Sequence, residues 1–252
     1  MNWKAILGAA LIVIALSLAG GGVYAVHSLR QPKFDPETLC PLAGAKAVTL
    51  ILIDKTDPLT ATEQARVRSL IAAEAEAVQT GGRIIVKLLQ QKEGASEAAL
   101  ATAADLCNPG AEGNPFFENP RRVAARYQSA FREPVEQALA SVKSAGSAPA
   151  SPIARTVQTS VEAAPESQRL KLILVSDLME HTLEASAYNG SLSEAALRKA
   201  IPPSTQARLK GTEVRVLLLN RPRYAKQQTA AIAIWRSFFA AASGREPDFE
   251  RP

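Results

Sequence analysis

The 252-residue sequence contains only two cysteines, Cys40 and Cys107, and no Cys-x-x-Cys pair. A zinc site of the usual spacing is therefore excluded. No Gly-x-Ser-x-Gly motif is present to place a serine nucleophile on a sharp turn, and no glycine-rich phosphate loop ends in Lys-Ser or Lys-Thr. These absences argue against a serine hydrolase and against a P-loop nucleotide-binding protein.

Aromatic residues are also scarce, at 5%, and no internal repeat is visible. The 29 lysines and arginines are scattered and do not alternate with aromatic side chains that could stack on bases, so we expect no nucleic-acid partner despite the net charge of +5. Hydrophobic residues make up 47%, which is too many for a disordered chain. The length fits one α/β domain beyond an N-terminal hydrophobic segment.

That hydrophobic segment has no charged side chain between Ala5 and Val26. A helix rises about 1.5 Å per residue, so this stretch is long enough to cross a hydrocarbon core of roughly 30 Å. We predict a tail at residues 1–4 and an uncleaved, single-pass membrane anchor at residues 5–26. A cleaved signal peptide is the alternative, because Val23 and Ala25 are the small residues that cleavage after Ala25 requires. Either one would export the domain that follows.

Three apolar runs predict strands buried on both faces, at residues 47–53, 170–175 and 214–219. Residues 83–89 predict another strand, and residues 98–106 predict one that returns antiparallel to it. Amphipathic patterns between the strands predict helices at 62–78, at 123–139, from 153 onward, at 192–200 and at 226–242. The first should begin with a Thr60–Glu63 capping box, the second should bend near Pro134, and the last should end with Gly244 as its C-cap.

Strands that alternate with helices predict an α/β domain with a mostly parallel sheet covered on both faces. We place this domain at residues 46–244, after a stalk at 27–45 and before a tail at 245–252. Asp54 and Asp177 each follow a buried strand, where parallel strands end together and ligands commonly bind. Thr56 and Ser151 add hydroxyl groups, so these four residues form an oxygen-only candidate site for a hard cation. Alternatively, the two aspartates only cap turns and helix starts.

Three features follow one another along the chain: a strand that ends in Asp-x-Thr at residues 54–56, a Ser-Pro-Ile helix start at 151–153, and a strand followed by Asp177. This order resembles the von Willebrand factor A (vWA) family and its metal-ion-dependent adhesion site. The resemblance covers residues 48–242 and implies a Rossmann-like three-layer fold with one antiparallel edge strand. It implies that Asp54, Thr56, Ser151 and Asp177 hold Mg²⁺ or Mn²⁺, with an open position for a carboxylate of a protein partner. Pro58 replaces the last serine of the family's Asp-x-Ser-x-Ser motif, so one hydroxyl ligand is missing.

The resemblance also implies that the third strand ends beside the start of the first, which would bring Cys40 and Cys107 to the same pole of the sheet. A disulfide there would add roughly 2–4 kcal/mol of stability and would need an oxidising compartment. This favours a domain on the periplasmic side of a membrane. Two reduced thiols in a cytosolic domain are the alternative.

These features predict a membrane-anchored binding module that recruits a protein partner and is not an enzyme. One alternative is a magnesium-dependent phosphoryl hydrolase that uses Asp54 and Asp177. Thr56 lies where a haloacid-dehalogenase-like phosphatase would need an aspartate, which argues against it. The other alternative is a metal-free scaffold. We interpret His181 as a solvated loop residue and Trp235 as a residue that packs the last helix on the sheet.

Overall fold

The computed structural model describes residues 3–28, 34–35, 38–91, 98–112, 118–143 and 147–250. Parts of the predicted tails and stalk, at residues 1–2, 29–33, 36–37 and 251–252, lie outside these ranges. The chain divides into two compact units, Met1–Lys33 and Phe34–Pro252. The first unit contains helix α1 (Trp3–Ser28), which includes the segment predicted as an anchor. Within the described ranges, no helix combines the length and the apolar character needed to cross a membrane.

The second unit is built on a six-stranded sheet. The strands are β1 (Ala47–Asp54), β2 (Arg83–Gln91), β3 (Ala98–Cys107), β4 (Arg169–Ser176), β5 (Glu213–Leu218) and β6 (Asp248–Glu250). Their order in the sheet is β3-β2-β1-β4-β5-β6, and all neighbouring strands are parallel except β2 and β3, which are antiparallel. The predicted sheet, mostly parallel with one antiparallel edge strand, is therefore confirmed.

The continuous apolar run of β1 is explained by burial on both faces of the sheet. Leu50 and Leu52 pack into one hydrophobic cluster, whereas Ile51 and Ile53 pack into another on the opposite face. All four side chains are fully buried. Because successive side chains of a strand point to opposite faces, a strand between two helical layers needs apolar residues at every position.

The helices supply the two outer layers. Apolar residues of α2 (Ala61–Ala77) and α4 (Glu133–Ser141) pack in the cluster of Ile51 and Ile53. Apolar residues of four further helices pack in the cluster of Leu50 and Leu52. These helices are α5 (Ile153–Ala163), α6 (Glu194–Ala200), α7 (Pro203–Leu209) and α8 (Ala225–Ser243).

Several helix ends follow the predicted local chemistry. Thr60 and Glu63 form the capping box of α2, and Gly244 ends α8 with a φ of 69°, a left-handed conformation that suits glycine. The predicted long helix begins at α3 (Pro120–Tyr127) and widens into a π-helical turn at Gln128–Arg132 before α4. Pro134 follows this turn, and a proline has no amide hydrogen to continue the usual α-helical pattern.

Helix α7 and strand β6 are absent from the sequence-based prediction. Strand β6 has 3 residues, and Leu209 is the one buried apolar residue of α7, so neither gives a repeating apolar pattern that could be recognised. Strand β6 pairs with β5 and lies inside the segment predicted as a C-terminal tail. The sheet therefore extends one strand further than expected.

The predicted disulfide between Cys40 and Cys107 is present. Cys107 is the last residue of β3 and lies opposite Arg83, the first residue of β2, so the antiparallel return of β3 brings it to the pole where β1 begins. The bond closes a loop with a sequence separation of 67 residues. A loop of this length restricts the unfolded chain considerably more than it restricts the folded one.

We expect reduction of this disulfide by dithiothreitol to lower the free energy of unfolding by about 2–4 kcal/mol, because the unfolded chain regains the entropy of the open loop. Urea-induced unfolding with and without the reductant measures this. The double variant Cys40→Ala/Cys107→Ala is the control and should not respond to the reductant. An unchanged midpoint for the reduced wild type would contradict the prediction.

Candidate site at the carboxyl ends of the strands

The middle of the sheet contains a topological switch point between β1 and β4. The chain continues from β1 toward β2 on one side and from β4 toward β5 on the other, which leaves a crevice beyond the carboxyl ends of the central strands. Ile53 is paired with Val175, so Asp54 and Asp177 leave the sheet at the same edge. The sequence-based expectation that these two carboxylates lie close together agrees with this register.

Asp54 is the centre of a buried hydrogen-bond network. Its Oδ1 accepts hydrogen bonds from the amide (3.0 Å) and Oγ1 (2.6 Å) of Thr56. Its Oδ2 accepts from Oγ of Ser176 at 2.9 Å and from Oγ of Ser151 at 3.3 Å. Burial raises the pKa of Asp54, and the hydrogen bonds from these three residues oppose the rise. Three of the four predicted site residues are thus in direct contact.

Asp177, the fourth predicted residue, has different partners. Its Oδ1 accepts a hydrogen bond from the amide of Met179 at 2.9 Å, and its Oδ2 lies 2.8 Å from Nε of Arg221. Burial, and next the nearby charge of Asp54, raise the pKa of Asp177 to about 7, while the Arg221 guanidinium opposes that rise. Arg221 is therefore the group that favours the charged form of Asp177, against the effects of burial and of Asp54.

The turn after Asp177 is held in an uncommon backbone conformation. Leu178 has a φ of 63° although it is not a glycine. Its amide donates to Oγ of Ser176 at 2.9 Å, and its carbonyl accepts from Nε1 of Trp235 at 3.2 Å. Trp235 is fully buried in the helical layer, as predicted, and its indole N–H also fixes the loop that carries Asp177.

Arg221 is a functional candidate that the sequence analysis did not identify. Its Nη1 lies 3.4 Å from Oε1 of Glu63, and its Nε lies 3.9 Å from Oδ2 of Asp57. The side chain is 15% exposed. The sequence does show an arginine just after β5, which ends at the same edge of the sheet as β1 and β4. Which groups its long side chain reaches depends on the tertiary structure.

The residues present do not together fit the divalent ion that the family resemblance implies. Oγ1 of Thr56 and Oγ of Ser151 are 2.9 Å apart, a separation that two adjacent ligands of an octahedral Mg²⁺ would also have. Asp177, however, uses both oxygens for Met179 and Arg221. Among the described residues, no group of three or more histidines, cysteines, aspartates or glutamates is arranged to hold a metal ion.

A cavity of about 650 Å³ opens over this edge of the sheet. The rings of Tyr188 and Tyr224 meet edge to face at 4.9 Å, and His181 meets Tyr188 in the same way at 5.2 Å. His181 is exposed, as expected, and it also forms part of the wall of the cavity. The lining residues are Thr56, Asp57, Pro58, Ser147, Ala148, Pro149, Ala150, Ser151, His181, Tyr188, Arg221 and Tyr224.

No protein-family model and no curated protein sequence matches this chain. Among solved structures, a von Willebrand factor type A protein from Catenulispora acidiphila is similar with 14% identity and a TM-score of 0.40. The similarity covers 79% of this chain and 42% of that one, so this chain spans less than half of that protein's length. A second similar structure is an aerotolerance-related membrane protein from Bacteroides fragilis NCTC 9343 with multiple mutations to serines. Its identity is 13% and its TM-score is 0.33, over 76% of this chain and 98% of that one. These values are too low to assign a family.

Glu180 lies just behind the site and is 3% exposed. Its Oε2 accepts a hydrogen bond from the amide of Ala154, at the N-terminal end of α5, at 2.8 Å. Burial raises the pKa of Glu180 from 4.5 to about 8, and the hydrogen bonds from the amides of Ala154 and Ile153 oppose the rise. The folded protein therefore keeps a proton that the unfolded chain has already lost at neutral pH.

This proton makes stability depend on pH. Because the pKa of Glu180 is higher in the folded state, its contribution is fully present below pH 4.5 and is lost as the pH rises through about 8. We expect Glu180→Gln, which keeps an acceptor but carries no charge, to be more stable than the wild type at pH 8 by on the order of 2 kcal/mol. Urea-induced unfolding across this pH range measures it. The variant Glu166→Gln, at an exposed position before the start of β4, is the control. Equal pH slopes for the wild type and Glu180→Gln would contradict the expectation.

Proposed function

We propose that this chain is a vWA-like binding module, held at a membrane by residues 5–26, that recruits a protein partner at the strand-end face. The cavity over the carboxyl ends of β1 and β4 is the observation that supports this proposal. It lies at the switch point of the sheet, which is where ligands bind in open α/β folds. The module needs no chemistry of its own for this role.

The composition of the cavity wall favours a protein partner. Tyr188, Tyr224 and Arg221 belong to the residue types that are enriched in the centres of protein interfaces. The wall is also held in place, because Ser151 and His181 exchange two backbone hydrogen bonds of 2.9 and 3.0 Å. A wall that is already ordered loses little conformational entropy when a partner binds.

The contacts of the two aspartates favour binding over phosphoryl hydrolysis. A hydrolase would use Asp54 and Asp177 to hold a metal ion or to attack the substrate. Both oxygens of each carboxylate are instead engaged, by Thr56, Ser151 and Ser176 for Asp54 and by Met179 and Arg221 for Asp177. We therefore propose that the module is not an enzyme.

We propose that the domain lies on the periplasmic side of the membrane. The absence of charged side chains at residues 5–26 supports the anchor, and the disulfide between Cys40 and Cys107 supports an oxidising compartment. A single-pass anchor and an oxidised domain are compatible with one orientation, in which the domain is exported.

We expect the full chain, expressed in bacteria, to remain in the membrane pellet after an alkaline carbonate wash, because residues 5–26 are buried in lipid. A chain that begins at Gln31 should be released by the same wash. Mass spectrometry of the pelleted protein should give the uncleaved mass. Release of the full chain, or a mass that corresponds to cleavage after Ala25, would contradict the anchor.

We expect a photoreactive p-benzoylphenylalanine at Tyr224 or Tyr188 to form a covalent adduct with one defined protein in membranes of cells that contain the full chain. The analogue keeps an aromatic ring in the cavity wall, so it disturbs the face little. Adducts are detected as bands of higher mass and identified by mass spectrometry.

The matched control places the same analogue at Arg169, an exposed position at the opposite pole of the sheet, in the wall of a second cavity of about 480 Å³. A partner that binds at the strand-end face gives an adduct from Tyr224 or Tyr188 but not from Arg169. The same adducts from both poles, or none from the strand-end positions, would contradict the proposed function.

A further inference from the structure

We infer that Arg221 takes the place of a divalent cation in the strand-end site, so that the site works without metal and opens to a metal ion only when Arg221 is removed. The inference concerns the face to which the proposed function assigns the partner. It names the group that supplies the positive charge there.

The first observation is the set of carboxylates around one guanidinium. Asp57 follows β1, Glu63 lies in the first turn of α2, and Asp177 follows β4. Their oxygens lie 3.9, 3.4 and 2.8 Å from nitrogens of Arg221. A bound divalent cation would likewise draw oxygen ligands from separate segments toward one charge.

The second observation is that Arg221 is fixed in this position by its own backbone. Its amide donates to Oε1 of Gln228 at 3.1 Å. Nε2 of Gln228 in turn donates to the carbonyls of Asp177 at 3.1 Å and Leu219 at 2.7 Å. Gln228 therefore ties the loop of Arg221 to the loop of Asp177 and fixes the backbone from which the guanidinium reaches the carboxylates.

The third observation is the balance of charge. Asp54, Glu63 and Asp177 are all buried. Buried carboxylates need a compensating positive charge, and removing the only partner of such a group leaves an uncompensated charge in a poorly solvated place. With Arg221 present, Asp177 is compensated. Without it, Asp177, Thr56 and Ser151 would face a space that a hydrated Mg²⁺ or Mn²⁺ could enter.

The test measures binding of Mn²⁺ by electron paramagnetic resonance and the melting temperature in EDTA, Mg²⁺ and Mn²⁺, for the full chain in detergent. We expect the wild type to bind no Mn²⁺ and to melt at the same temperature in all three conditions. We expect Arg221→Ala to melt lower in EDTA and to regain about 5–10 °C with an ion at a hundred times its Kd. The double variant Arg221→Ala/Asp177→Asn should lose that gain.

Arg223→Ala is the matched control, since Arg223 is exposed, lies two residues away and contacts the ring of Tyr224. It should behave as the wild type toward metal. If Arg221→Ala folds only with Mn²⁺ present, the inference is supported, and if it stays unfolded with Mn²⁺, the inference is overturned. A metal-dependent rise in the wild type, or none in a folded Arg221→Ala, also overturns it.

Cross-linking in EDTA separates this inference from the proposed function. If both hold, the adduct from Tyr224 forms equally with and without EDTA. An adduct that EDTA abolishes would overturn the metal-free site and leave partner recruitment standing. Absence of any adduct, together with the expected Mn²⁺ results, would overturn partner recruitment and leave the assignment of Arg221 standing.

Discussion

Asp54 and Asp177 leave the sheet side by side and are both buried, so two carboxylates must be kept in a place with little water. Burial raises the pKa of both carboxyl groups, and the charge of Asp54 raises that of Asp177 further, which means that ionisation costs free energy there. The fold meets this cost in two ways. Hydroxyl and amide groups compensate Asp54, and a guanidinium compensates Asp177.

These compensating groups also hold the layers of the domain together. Ser176 links the two loops, because its Oγ donates to Asp54 and accepts from the amide of Leu178. Trp235 fixes the same turn from the helical layer, and Arg221 reaches Glu63 in the capping box of α2. The polar site is thus built into the contacts of the central strands with both outer layers. A substitution here is expected to affect stability as well as binding.

Most of the fold and part of the site could be predicted from the sequence, for physical reasons that differ by element. The run 47–53 identified β1 because a strand covered on both faces needs apolar side chains at every position. Asp54, Thr56 and Ser151 lie in contact at the strand ends, where ligands commonly bind, and their part in holding a metal ion stays a prediction. The role of Arg221 was not predictable, because its partners come from three segments distant in sequence. The cavity wall of Tyr188 and Tyr224 also arises only when separate loops meet.

An arginine and a divalent ion give such a site different properties, although both supply positive charge. A bound ion offers an open coordination position and can be exchanged, whereas a guanidinium is covalently attached, planar and always charged. With Arg221 tied to Asp177 and Glu63, affinity for a partner would depend on the shape and aromatic surface of the cavity and not on the local metal concentration. A tyrosine-lined face beside a fixed charge is suited to constant recruitment, because nothing has to bind first to complete it.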